Sequence, residues 1–188
     1  YRFCSNYGVV EIFLLLIGLR VIHYVDDGLH FIPNHELLIR IAAWFLQWIH
    51  TELLLQLQPL KCQLQGLQIA EWIGFNVNTK DMTLSITPKK RIAIITEMDK
   101  LLASAARYDG VTPRVVASTV GTLGSMRKAL PGLYYAHISA TNGWIAGHTK
   151  DGKSWDKRHK LTPAVWIEIQ WWIVKLPKTK PAHMYDPA

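Results

Sequence analysis

The sequence predicts an α+β fold, with antiparallel hairpins packed on a helix and followed by a largely helical region. Three observations carry this. Two short runs rich in β-branched and aromatic residues flank Asp26-Asp27-Gly28, the pattern of strands joined by a turn. Met82, Leu84 and Ile86 alternate with Thr83, Ser85 and Thr87, the period of a half-buried strand. Thr-Pro recurs at 87–88, 112–113 and 162–163, each time ahead of apolar residues at helical spacing. A Thr cap with Pro at the first helical position is a helix start signal.

In chain order, Val21, Ile22, Tyr24 and Val25 favour a strand, and Asp27-Gly28 suits a tight turn with positive φ. Pro33-Asn34 then stops the returning strand and caps a helix to about Leu57, with Leu38, Ile41, Phe45, Trp48 and Ile49 at helical spacing. Pro59 ends it, and a short strand is expected over Leu60 to Leu64. Glu71 to Val77 and Met82 to Ile86 read as a second hairpin around the polar turn Asn78-Thr79-Lys80-Asp81. The helix from Pro88 to about Arg107 puts Ile94, Ile95, Met98, Leu101, Leu102 and Ala105 on one face. Tyr108-Asp109-Gly110 is a linker, and a further helix runs from Pro113 to about Ala129. Its Gly121 and Gly124 sit at i,i+3, where loss of propensity suggests close backbone packing. Pro131-Gly132 breaks it, Leu133 to Ile145 forms another helix, and Gly147 to Lys160 is an exposed basic linker. The last helix, Pro163 to about Leu176, carries Trp166, Trp171 and Trp172, and the tail from Pro177 is extended. Composition shifts near Thr87, a candidate domain boundary.

With 188 residues, 49% of them hydrophobic, the chain can bury a core and is no disordered tail. Its net charge of +7 favours a polyanionic partner. Cys4 and Cys62 support neither a metal cluster nor a disulfide framework, so a reducing, intracellular compartment is expected, with cytoplasm and nucleus not distinguished. The eight His residues show no zinc-type spacing. The apolar run Ile12 to Leu19 is too short to span a bilayer, so no membrane partner is expected. The chain begins at Tyr1 and reads as the middle of a longer protein.

The segment Tyr24-Val25-Asp26-Asp27 places two carboxylates at a hairpin tip, where both can converge on one pole. Two hard oxygen ligands there, joined by a third carboxylate, would suit a pair of Mg²⁺ ions. Asp-Gly between apolar strands is also an ordinary turn, and these four residues alone leave both readings open. Downstream residues bear on the choice. Lys61-Cys62-Gln63-Leu64 and then Trp72-Ile73-Gly74-Phe75 follow in order. This series resembles the C-terminal half of a reverse transcriptase palm, in which Y-x-D-D precedes K-C-x-L and an F-L-G-F type box. Here Trp stands for Phe and Ile for Leu in the third box. Asn78 to Lys89, and the Gly121-x-Leu123-x-Ser125 box within Thr112 to Gly132, are most similar to tyrosine-recombinase (DIRS-like or Ngaro-like) retrotransposons. Leu161 to Pro177 resembles the stretch before their RNase H domain.

The resemblance implies a partial palm over 1–87, a helical thumb over 88–146, and a basic linker with a helix over 147–188 leading toward an RNase H-like domain. It implies an RNA-directed DNA polymerase acting on a primer–template and dNTPs, with Asp26 and Asp27 holding Mg²⁺. Lys61 would act beside the leaving pyrophosphate. Tyr24 would support the turn near the primer terminus, and Val25 would lie near the duplex. The hairpin with Trp72, Ile73, Gly74 and Phe75 would grip the primer, and Lys89, Lys90 and Arg91 would face phosphates. The family takes a further metal-binding Asp from an upstream strand; Asp81, Asp99 and Asp109 do not match it. The chain alone is therefore expected to be inactive without an upstream fingers–palm segment. The competing expectation is a degenerate, non-catalytic remnant that binds nucleic acid or another partner.

Overall fold

The computed structural model describes residues 20–24, 27–32, 34–51, 66–130, 132–150, 152 and 154–184. The chain divides into two compact units, Tyr1–Gln68 and Ile69–Ala188. The candidate boundary at Thr87 does not coincide with this division. The second hairpin belongs with the helices because Phe75, Val77 and Ile86 are buried and the following helix starts directly from it.

In the first unit, β1 (Arg20–Tyr24) and β2 (Asp27–Phe31) pair antiparallel, from Arg20 opposite Phe31 to Tyr24 opposite Asp27. The expected turn at Asp27-Gly28 is corrected. Both residues lie in β2, and Gly28 faces His23 across the ladder. A turn centred on Asp27-Gly28 would pair Ile22 with Pro33, whose nitrogen has no hydrogen to donate. Helix α1 (His35–Thr51) starts as expected at Asn34, whose Oδ1 accepts from Leu37 N at 2.7 Å. The expected continuation to Leu57 and the strand at Leu60 to Leu64 lie outside the described residues.

The second unit opens with β3 (Ile69–Trp72), β4 (Phe75–Asn78) and β5 (Thr83–Ile86). Glu71 to Val77 is thus two strands rather than one. Ile73 and Gly74 have φ of 43° and 88°, so they form a two-residue primed turn, whose twist matches that of the flanking strands. Asn78 closes the next turn, its Oδ1 accepting from Lys80 N and Asp81 N at 3.0 Å. The tail expected to be extended is so in part, and it joins the sheet. After a 3-10 turn at Leu176–Lys178, β6 (Ala182–His183) pairs with β5, giving the sheet order β3-β4-β5-β6. This pairing covers what would otherwise be an open edge of β5.

Helices α2 (Pro88–Arg107), α3 (Pro113–Ser125) and α6 (Pro163–Lys175) each start at the expected Thr, whose side chain accepts from the third residue on. On α2, Ile94, Met98, Leu101, Leu102 and Ala105 are buried as expected. The helix expected over Leu133 to Ile145 is instead two, α4 (Leu133–Ala136) and α5 (Ser139–Thr149). The break is held by α6. Glu168 accepts from Ala140 N at 2.9 Å and from Thr141 N at 2.8 Å, capping α5, while Trp172 Nε1 donates to His137 O at 2.7 Å. Nor is 147–160 a free linker. It contains the end of α5 and a 3-10 turn at Ser154–Asp156, and His159 pairs with Val111 through two backbone hydrogen bonds.

The two helical glycines of α3 differ. A Cβ on Gly124 would lie 2.8 Å from the Tyr134 hydroxyl, whereas one on Gly121 would meet nothing within 4 Å. Gly121→Ala should therefore raise unfolding free energy by about 0.5–1 kcal/mol. Gly124→Ala should gain less or lose stability, because Tyr134 must move. Urea denaturation of both variants checks the ranking, and the reverse order would show the packing of α3 to be wrong.

Candidate nucleic-acid interface

In the first unit, the strand ladder ends with Tyr24 opposite Asp27. The Tyr-x-Asp-Asp segment thus begins on β1 and ends on β2. Val25 and Asp26 between them, and Lys61, lie outside the described residues. Among the described residues, no group of three or more His, Cys, Asp or Glu could hold a metal ion.

In the second unit, two segments singled out in the sequence come together. The Ile73-Gly74 turn accepts a hydrogen bond from Thr87 N at Gly74 O, 3.0 Å away. Lys90 packs its aliphatic stem on the same turn: a Cβ on Gly74 would lie 3.2 Å from Lys90 Cγ. The absent side chain at Gly74 therefore admits the start of α2 to the hairpin tip. Thr87, itself buried, accepts from Lys90 N and fixes the first turn of that helix. The result is a hairpin tip beside three consecutive cations, Lys89, Lys90 and Arg91. The first turn of α2 holds no acidic residue. Cations at a helix N-terminus oppose the macrodipole, so this run does not stabilise the helix, whereas an external anion would relieve it.

The residues of this cluster have different roles. Lys89 is exposed and Lys90 half-buried. Arg91 donates from Nη1 to Pro177 O at 3.0 Å, so one edge of its guanidinium ties down the tail that leads into β6. Phe75 is 6% exposed and belongs to the core; its contribution to a surface is to seat the turn. Trp72 is half-buried, and its Nε1 is enclosed with no hydrogen bond among the described residues. Ile73 pays for the turn with a positive φ that β-branched residues strongly disfavour.

Charge is divided between the units. The first holds Arg2, Arg20, Arg40 and Lys61 against Glu11, Asp26, Asp27, Glu36 and Glu52, so the net positive charge of the chain belongs to the second. Sequence reading missed a second cationic cluster there. The Arg107 and Arg158 guanidinium carbons lie 5.2 Å and 4.8 Å from the centre of the Tyr108 ring. No local periodicity links Arg107 to Arg158; the juxtaposition comes from the Val111–His159 bridge. Arg114, at the start of α3, grips Asp156 with two hydrogen bonds of 2.7 Å and 3.0 Å. Those bonds hold the Asp156 carboxyl below the usual carboxylate range and raise the Arg114 guanidinium further. Because the Asp156 value is depressed on folding, the pair contributes above the ordinary carboxylate range and is lost as pH falls through the depressed value.

Strain at Ile73 generates a prediction. Asn tolerates positive φ at this turn position, so Ile73→Asn should stabilise the second unit by about 1 kcal/mol. If Ile73 is kept for contact with a ligand, the same change should weaken nucleic-acid binding. Thermal melts and anisotropy titrations of the one variant read both; a destabilised variant would show that the turn is unstrained.

Among the described residues, no helix is long and apolar enough to cross a membrane. In comparison with known proteins, no family model matches the chain and no curated protein matches it.

Proposed function

We propose that the chain is the C-terminal palm and thumb of an RNA-directed DNA polymerase, acting on a primer–template with dNTPs. The observation that carries this reading is the Tyr24–Asp27 strand pair, in which the first and last residues of the Tyr-x-Asp-Asp segment face each other across an antiparallel ladder. Two further features support it. The Lys-Cys-x-Leu and Trp-Ile-Gly-Phe boxes follow in the order that the resemblance requires, and the second box forms a tight turn beside Lys89 and Lys90.

In this reading a primer 3′-hydroxyl attacks the α-phosphate of the incoming dNTP and pyrophosphate leaves. Asp26 and Asp27 would hold Mg²⁺: carboxylate oxygens are the hard ligands it prefers. The resemblance puts a third carboxylate on an upstream strand, so an upstream segment would provide it. When bound, Mg²⁺ offsets phosphate charge and eases deprotonation of the attacking hydroxyl. Tyr24 would support the turn near the primer end, and Val25 would border the duplex. Lys61 would offset charge on the departing pyrophosphate or give it a proton. The Ile73-Gly74 turn, backed by Trp72 and Phe75, would hold the primer strand by its backbone, with Lys89 and Lys90 against phosphates. An RNase H-like domain would follow in the parent polyprotein.

A second reading, a non-catalytic nucleic-acid-binding remnant, is favoured by the charge division. The excess of cations lies in the unit that lacks the Asp pair, so binding need not depend on catalysis.

Binding to a labelled primer–template duplex should fall steeply with salt, with a log–log slope of about −0.9 for each phosphate neutralised on B-form DNA. Lys89→Ala should make that slope shallower by about one such contact. Binding insensitive to salt would count against both readings. Joined to an upstream segment carrying the third carboxylate, the chain should extend a primer with Mg²⁺. There Asp26→Asn should cut extension by at least about 10²–10³-fold while duplex affinity holds. Asn keeps one acceptor oxygen but loses the charge a divalent ion needs. Undiminished extension by Asp26→Asn would leave only the binding reading.

A further inference from the structure

The strap that runs from the 3-10 turn Ser154–Asp156 to the start of α6 is fixed far more firmly than a basic linker needs. Arg114 grips Asp156. The backbones of Val111 and His159 exchange hydrogen bonds of 3.0 Å and 2.9 Å. Trp144 Nε1 donates to Lys160 O at 3.0 Å, and Arg158 Nη1 donates to Gly110 O at 2.8 Å. Gly110 has φ of 146°, and a Cβ there would lie 2.7 Å from His159 O, so the end of α2 and the strap meet backbone to backbone.

This close junction encloses an open cavity of about 250 Å³ at the end of α2. Ala105 and Leu161 contribute apolar surface, Trp166 contributes an aromatic ring, and Asp109 and Lys160 stand at the same site as an ion pair of 2.8 Å. The volume is below the roughly 300–1,000 Å³ of sites for drug-sized ligands and suits a single planar ring system. Beside it, Tyr108 is 53% exposed and holds the Arg107 and Arg158 guanidiniums over its ring. Arg158 spends one donor on Gly110 O, and a guanidinium has five N–H donors in all. Guanidiniums held on an aromatic ring stay weakly hydrated, with edges suited to phosphate. Lys157, next to Arg158, is exposed and adds positive charge.

We propose that the cavity between the end of α2 and the 154–162 strap binds an unpaired base of a single-stranded nucleic acid. Trp166 is the stacking surface and Arg107 and Arg158 hold the adjoining phosphate. Duplex is excluded by geometry, because a base must leave its stack to enter a recess. Tyr108 is a positioning residue that keeps the two guanidiniums in place. The proposal rests on the nucleic-acid reading above but concerns a different face: its residues are separate from the Ile73-Gly74 turn and from Lys89 and Lys90.

The test is anisotropy of a labelled oligothymidylate of about twelve nucleotides, within the span of known single-strand sites, against a duplex of the same length, using the full chain. The chain should bind both. Trp166→Leu should weaken the single strand by roughly 5- to 150-fold, the range for one stacked base, and leave duplex affinity unchanged. Arg107→Ala, at an exposed position that does not endanger folding, should weaken the single strand and make its log–log salt slope shallower by about 0.7. Tyr108→Phe should bind as the parent does, whereas Tyr108→Leu should behave like Arg107→Ala. If Arg107→Ala lowers single-strand and duplex affinity equally, or neither, the proposal is overturned. Competition by thymidine monophosphate as effective as by the oligomer would also overturn it. Duplex binding without single-strand binding defeats this proposal and leaves the proposed function standing; loss of both defeats both.

Discussion

The second unit depends on the way α6 is received by its neighbours. Val165, Ile169, Trp172 and Leu176 are all less than 5% exposed and lie at i, i+4, i+7 and i+11, one continuous stripe that runs from the helix into the 3-10 turn after it. Burying such a stripe between α2 and α5 leaves polar backbone at the break between α4 and α5 to be satisfied. Polar groups of the same helix do this: Trp172 Nε1 takes the His137 carbonyl, and the Glu168 carboxylate takes two backbone N–H groups of α5 and the Thr141 hydroxyl. Trp172 thus joins apolar burial to backbone satisfaction. Truncating such a buried Trp typically costs about 3–5 kcal/mol, a large share of the roughly 5–15 kcal/mol that holds most domains folded.

The sheet serves the candidate interface by a similar economy. β5 lies between β4 and β6, so the strand that leads into α2 is held on both edges. Its last residue, Ile86, is 3% exposed, and the next, Thr87, both caps α2 and donates from its backbone to Gly74. Turn, strand end and helix start are therefore tied at one point. Ile73 works against local preference here, as do the cations that open α2, since Gly or Asn would fit its φ better. Local rules broken without local return are where function is sought.

Electrostatics separates what the two units can contribute. The first unit is nearly neutral and carries the adjacent carboxylates, whereas the second carries the excess of cations. In the second unit some cations are engaged structurally: Arg114 with Asp156, Arg91 with the Pro177 carbonyl and Lys160 with Asp109. Exposed pairs of this kind add little stability, but they fix the strap and tail against which the remaining cations are displayed. A polyanion would meet positions set in advance, which lowers the ordering cost of binding.

Much of this was legible in the sequence, for local reasons. Asn34 and three Thr-Pro pairs marked helix starts, because a cap and its first turn are contiguous in the chain. The buried face of α2 followed from its period, and the strand pair flanking Asp26 from β-branched composition. The Tyr-x-Asp-Asp segment was visible as a motif, although its ladder register was not, because Asp27-Gly28 is a good turn in isolation. Tertiary structure decided the rest. A run from Leu133 to Ile145 reads as one helix until Glu168, far along the chain, caps its second half. A Pro- and Lys-rich tail reads as extended, but its pairing with β5 is not legible locally. Arg107 and Arg158 read as unrelated charges until the Val111–His159 bridge brings them to one tyrosine. By itself the sequence determined which segments become helix or strand, since propensity, capping and periodicity act over a few residues. Which segments meet was left to long-range packing and hydrogen bonding, whose partners are separated by tens of residues and carry no local signature.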